Sequence, residues 1–251
     1  MSGHSKWAQI KRTKAKNDAE RGRLFSRLAK DILSAARAGG GNPDANLRLK
    51  VAIEKAREAN MPVENIERLI ARATGQAGGS AYEEVVYEGY GPGGVAILME
   101  ILTDNRNRTA ADIRSIFNKH GGSLGESGSV AWMFARKGVI RVNRAENDIT
   151  EDDLLAVVLD AGAEDLRAED DAFEITTAPD DLDGVLRALE RAGVKVEEGK
   201  VQRVPVTTVE VSGETARRLL RLLEVLDQND DVQNVYANFD IPEGELAALE
   251  G

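Results

Sequence analysis

Seven cations stand close together near the start of the chain: Lys6, Lys11, Arg12, Lys14, Lys16, Arg21 and Arg23. Side chains this charged and this dense do not enter a core. Their chemistry is the binding of polyanions, because phosphate contacts relieve their mutual repulsion and release counterions. Trp7 lies among them without an apolar run around it. Its indole has two readings, stacking on a base or packing on a helix, and the residues alone leave both open. A second cationic pair, Arg106 and Arg108, stands in DNRNRT (104–109). At a strand-to-helix turn, guanidinium groups and helix amides can face a phosphate together. Equally, Asp104 and Asn105 can build the turn while the two arginines pair with nearby acids.

Other chemistries find less support. GYGPGG (89–94) is rich in glycine but lacks the Lys-Ser/Thr of a P-loop and the spacing of a dinucleotide fingerprint, so it reads as a hairpin turn. The two histidines, His4 and His120, belong to no HExxH and no visible triad. Asp152–Asp153 and Asp170–Asp171 fall at a helix start and a turn, where structure explains them. The chain has no cysteine, which excludes a disulfide framework, a thiolate zinc site and a cysteine nucleophile. The expectation is a protein without catalytic residues, metal or cofactor. No RNP motif, zinc finger or helix-turn-helix reader is present. Contacts to backbone and shape are therefore expected rather than base-sequence readout, and structured RNA suits them.

The charge is divided along the chain. Its 251 residues hold 33 basic and 43 acidic side chains, a net of -10. Residues 1–30 contain nine Lys or Arg against two acids, Asp18 and Glu20. Residues 1–80 hold 16 basic and 8 acidic residues, whereas residues 81–251 hold 17 and 35, a net of -18. Such asymmetry points to nucleic-acid or membrane contact by the basic part, the alternative being a solvated helical surface whose basic excess has no partner. No apolar run approaches the roughly 20 residues of a membrane span, and the basic start lacks the apolar region of a secretory signal. A cytoplasmic protein with no membrane partner is expected.

Hydrophobic periodicity supplies the elements that position these residues. Leu24, Phe25, Leu28, Ile32 and Ala36 mark an amphipathic helix over 24–37, stopped by GGGNPD. Leu49, Ala52, Ile53 and Ala56 mark a second helix that Asn60 ends. A third follows Pro62 through Val63, Ile66, Leu69, Ile70 and Ala73, with Gly75 as its C-terminal cap. GQAGGSA (75–81) reads as a linker. VVYEGY and VAILMEIL then flank GPGG as a hairpin. Thr109 and Asp112 predict a capping box for a helix that ends at His120 and its two glycines. SVAWMF (129–134) reads as a buried strand. From Lys137 the order is strand GVIRV, a helix capped by Thr150, a hairpin turning at Asp170–Asp171, a helix over 179–192 and a strand ending near Pro205. That is a βαββαβ unit of the ferredoxin-like kind. A strand over 206–211, a helix through Leu219, Leu222, Leu223 and Leu226, and a strand VQNVYANF follow. These complete the earlier ββα unit.

The fold class is therefore α+β. A basic three-helix domain (1–80) precedes two ferredoxin-like α/β domains, one discontinuous (81–136 plus 206–251) and one inserted in it (137–205).

SGHSKW (2–7), DAERGRLFSRLAKDI (18–32), NMPVENIERLI (60–70), YEEVVYEGYGPGGVA (82–96), LTDNRNRT (102–109) and GGSLGESGSVAWMFARKG (121–138) resemble the YebC/PmpR family. That family includes the mitochondrial translational activators of cytochrome oxidase subunit one. The resemblance is dense over 2–138 and after Lys137 is mainly one of pattern. It implies three domains, one inserted in another, and nucleic-acid binding without catalysis. It also implies one of two roles: a DNA-binding transcriptional regulator, or a factor on the ribosome that helps translation through difficult, notably proline-rich, stretches. An acidic body of -18 is repelled by duplex DNA, and no major-groove reader is evident. The leading expectation is a ribosome-associated factor touching ribosomal RNA or tRNA, with promoter DNA the alternative partner. A third class is an acidic protein-interaction module whose arm serves only for solubility.

Overall fold

The structure, a computed structural model, describes residue 7 and residues 18–75, 82–169 and 171–242. Lys6, Lys11, Arg12, Lys14 and Lys16, and most of the linker at 75–81, lie outside the described residues. Contacts divide the chain into two units, residues 134–206 and the remainder.

In the larger unit, helices α1 (Asp18–Gly39), α2 (Leu47–Glu58) and α3 (Val63–Thr74) come first. Leu28, Ile32, Ala35 and Ala36 of α1 meet Leu49, Ala52, Ile53 and Ala56 of α2 and Ile66 of α3 in one apolar cluster. Helical spacing places these residues on facing stripes, so burying them joins the three helices. Buried Asn46 fixes the corner. Its Oδ1 accepts from the Leu49 amide at 3.1 Å, capping α2. Its Nδ2 donates to the carbonyls of Ala35 and Gly40 at 2.8 and 2.9 Å, tying the cap to the end of α1. Asn60 takes φ 60° and closes α2. Gly75 differs from the sequence expectation: it is extended, with φ −74° and ψ 128°, rather than a left-handed cap.

The same unit contains strands β1 (Glu83–Tyr90) and β2 (Ala96–Thr103), helix α4 (Arg106–Lys119) and the short strand β3 (Ser123–Leu124). After the smaller unit it resumes with β8 (Val209–Glu210), α7 (Gly213–Asp227), β9 (Val232–Ala237) and β10 (Phe239–Asp240). The sheet order is β3-β1-β2-β9, all neighbours antiparallel, so the C-terminal strand closes a sheet begun by the hairpin. Alternate residues of β2, namely Ile97, Met99 and Ile101, join Ile113 and Phe117 of α4 and the leucines 219, 222, 223 and 226 of α7 in one core. Strand period and helix period thus meet on one side of the sheet. Gly89 allows that meeting, since a Cβ there would stand 2.7 Å from the Ser123 carbonyl and 2.8 Å from the Phe117 ring.

The smaller unit consists of β4 (Phe134–Asn143), α5 (Glu151–Leu159), β5 (Ala163–Ala168), β6 (Ala172–Thr177), α6 (Leu182–Arg191) and β7 (Glu198–Pro205). Its sheet order, β5-β6-β4-β7 with antiparallel neighbours, is the split βαβ arrangement expected from the sequence. Ile140, Val142, Phe173 and Ile175 pack on Leu154, Val158, Val185 and Leu189. Thr150 caps α5 by accepting from the Asp153 amide at 3.2 Å.

Two further local expectations are corrected. Thr109 is no helix cap: α4 begins one turn earlier, Asn105 is its cap, and Thr109 is buried. SVAWMF is not one strand: β4 starts only at Phe134, and Trp132 is 72% exposed on a single 3-10 turn. Gly89→Ala should cost about 1–3 kcal/mol through overpacking against a carbonyl and a core ring. Urea denaturation measures it, and an unchanged midpoint would mean that Ser123 and Phe117 can yield.

Candidate nucleic-acid interface

The turn DNRNRT joins β2 to α4, and its polar groups form one chain. The Asn105 side chain accepts from the Arg108 amide at 3.1 Å, which caps the helix. The Asn105 amide donates to Thr103 Oγ1 at 3.0 Å, and the Thr103 and Thr109 hydroxyls lie 2.7 Å apart. Thr109 Oγ1 donates to Asp231 Oδ2 at 2.7 Å. With that proton committed, Thr103 is the donor to Thr109.

Asp231, at the turn between α7 and β9, also receives two cations. Arg108 donates to its Oδ2 at 2.8 Å and to Asp104 Oδ1 at 3.0 Å. Lys30 of α1 donates to its Oδ1 at 2.7 Å and to the Asp230 carbonyl at 2.5 Å. One turn earlier on α1, Arg27 stands 3.6 Å from Asp227. Burial opposes ionisation of Asp231, but the hydrogen bonds from Lys30, Arg108 and Thr109 outweigh it and hold the carboxyl below its ordinary value of 3.8. The same contacts raise the Arg108 pKa, led by its hydrogen bond to Asp231.

The two arginines of the turn therefore part company. Arg108 is engaged by two carboxylates and holds the fold together. Arg106, the first residue of α4, is exposed, and among the described residues no carboxylate pairs with its guanidinium. Farther along α4, Arg114 and Lys119 join Ala111, Ser115 and Asn118 around a shallow open depression. These two cations also lack a carboxylate partner among the described residues. Across 106–119 there are four cations and one acid, Asp112, within the acidic stretch 81–251. Arg114 and Lys119 are not among the site residues expected from the sequence, although positions 111, 114, 115 and 118 recur at the spacing of one helix face.

At the arm, Arg21 and Arg23 fall within α1. Trp7 is buried, 5% exposed, in the apolar cluster that contains Val95, Ile97 and Val211. Its ring packs on protein and is withdrawn from base stacking. No helix among the described residues is long and apolar enough to cross a membrane. No group of His, Cys, Asp or Glu suited to a metal ion occurs among them either.

These features define a class: a helical domain pinned to an α/β sandwich, a second α/β domain inserted in it, and cations displayed on an acidic body. Residues 5–76 match the TACO1/YebC protein N-terminal domain, and residues 82–239 match the TACO1/YebC second and third domains. The chain belongs to the TACO1/YebC family. It is 58% identical over 241 residues to a protein of Pelotomaculum thermopropionicum named "Probable transcriptional regulatory protein", covering 96% of this chain and 99% of that one. It is 61% identical over 238 residues to a protein of Symbiobacterium thermophilum named in the same way, covering 95% and 98%. A crystal structure of a conserved hypothetical protein from Aquifex aeolicus has the same fold, with TM-score 0.80 and 47% identity over 91% of this chain and 94% of that one.

Asp231→Asn should destabilise the larger unit by about 1–3 kcal/mol at pH 7, the order for losing hydrogen bonds to a charged group whose cationic partners keep some access to water. Because the folded pKa of Asp231 is depressed, its stabilisation is complete above the unfolded value of 3.8 and is lost as pH falls through the lower folded value. Thermal melts from pH 7 to pH 2 should therefore converge for wild type and D231N at the acid end. Arg108→Ala should lower the melting temperature, whereas Arg106→Ala should leave it unchanged. Equal effects of the two would contradict the division of roles.

Proposed function

We propose that the protein is a non-enzymatic, nucleic-acid-binding regulator of gene expression that works in the cytoplasm on the ribosome. There it contacts ribosomal RNA or tRNA and eases stalls at difficult, proline-rich stretches. The observation that carries the reading is the display of Arg106, Arg114 and Lys119 on α4 without carboxylate partners among the described residues. The basic arm adds to it. Cations that the fold does not neutralise, on a body that is otherwise acidic, favour phosphate at restricted patches rather than along a duplex. A ribosome offers RNA to those patches and protein to the acidic surface.

A second reading is a DNA-binding transcriptional regulator, and the names of the two bacterial relatives, probable transcriptional regulatory proteins, favour it. Cosedimentation separates the two. Association with ribosomes at physiological salt is expected; no association, together with saturable promoter binding, would sink the first reading and establish the second.

The phosphate contacts have their own signature. Replacing Lys11, Arg12, Lys14 and Lys16 with Ala should flatten the logarithmic salt dependence of RNA affinity by about 3. Arg114→Ala with Lys119→Ala should flatten it by about 1–2. A salt slope untouched by both variants would remove these groups from the interface.

A further inference from the structure

We propose that Trp132 is a stacking platform for an unpaired nucleobase of the nucleic-acid partner, a site that deepens the nucleic-acid-binding reading above and rests on it. Trp132 is 72% exposed and is the one exposed aromatic ring among the described residues. Its polar edge is already used: Nε1 donates to the Ser129 carbonyl at 3.1 Å. What remains open to a partner is the π face.

The ring is held by a loop that the fold fixes at several points. Glu88 of β1, only 4% exposed, turns its carboxylate into the loop over residues 125–131. Its Oε1 accepts from the Gly128 amide at 2.6 Å, and its Oε2 accepts from the amides of Val130 and Ala131 at 2.7 Å each. The Gly125 amide donates to the Glu88 carbonyl at 2.8 Å, and the Tyr90 hydroxyl donates to the Ser129 carbonyl at 3.1 Å. Charge-assisted bonds of this kind are strong, and a buried carboxylate is costly unless it is satisfied in this way. A ring so placed loses little freedom when a ligand lands on it.

The surroundings select the ligand. An aromatic anchor for a protein partner sits in an apolar patch. Here the loop beside the indole is Gly125, Glu126, Ser127, Gly128 and Ser129, with open space at Gly128. An exposed flat ring beside this polar, glycine-rich loop fits a base, because every base has a π face. Stacking of this kind carries no sequence preference, in keeping with a chain that lacks base-reading motifs.

The test uses the full chain and a short single-stranded RNA, intact or with abasic sites, and reads binding by anisotropy of the labelled RNA. Trp132→Ala should weaken binding of intact RNA roughly tenfold, and Trp132→Phe should recover most of that loss. The salt slope should not change, because stacking displaces no counterions, whereas the Arg114 and Lys119 variants change it. Abasic RNA should bind wild type and W132A alike. Tryptophan emission should fall when intact RNA binds, with W132F, which keeps only buried Trp7, as the blank. Wild-type affinity for W132A together with unquenched emission would overturn the platform while leaving RNA binding in place. No RNA binding by wild type would overturn both.

Discussion

Asp231 draws together elements that lie far apart in the sequence. Its two oxygens take Lys30 from the helical domain and Arg108 and Thr109 from the first turns of α4, and it stands itself between α7 and β9. The carboxylate is almost out of water, so its cost must be met by all three donors, and each donor is positioned in turn. Lys30 orients α1 against the sandwich. Thr109, linked through Thr103 to the Asn105 amide, fixes where the helix begins. Arg106 sits at that beginning, and Arg114 and Lys119 lie two and three turns farther along. The exposed cations are thus positioned by a buried anion.

The same device recurs. Glu88 holds the loop beneath Trp132 with three amides, as Asp231 holds the turn beneath Arg106. In the smaller unit the signs are reversed: Arg141, 6% exposed, is bound by Glu169, Asp171 and Glu197 at 2.8, 2.7 and 3.0 Å. In each case one buried charge organises surface segments that apolar packing does not reach. Ion pairs on the exposed surface, such as Arg167 with Asp165, contribute little by comparison. The acidic composition is therefore partly structural, since some of its carboxylates are internal fasteners.

What the sequence makes legible follows from the range of the interaction involved. Periods of two and near four residues reveal strands and helices because neighbouring turns share a face; β2, α4, α7 and the βαββαβ order are readable for that reason. The partner of Arg108 is not readable, because Asp231 lies 123 residues away and only the folded sheet brings it near. Thr109 has the residue type of a cap, but its hydroxyl is used inside. The run SVAWMF is apolar enough for a strand, yet the amides of Val130 and Ala131 go to Glu88 instead of a ladder, which leaves Trp132 in solvent. Trp7 shows the converse: amid cations it looks available for a base, and burial in the apolar cluster of the larger unit takes it. Arg114 and Lys119 are legible in principle, because helical spacing places them on the polar face of α4.

The insertion has a consequence for how the chain is made. β2 finds one neighbour at once in β1, but its other edge pairs with β9, Ile97 opposite Ala237. Between them the whole of residues 134–206 must leave the ribosome, and those strands pair only with one another. A nascent chain folds as its segments emerge, and an unpaired strand edge is a hazard while it waits. The insert therefore completes first, while its host remains an open half-sheet with its helical domain not yet fastened by Asp231. Only when β9 arrives do edge and fastener close together, so a stretch made late completes a sheet begun early.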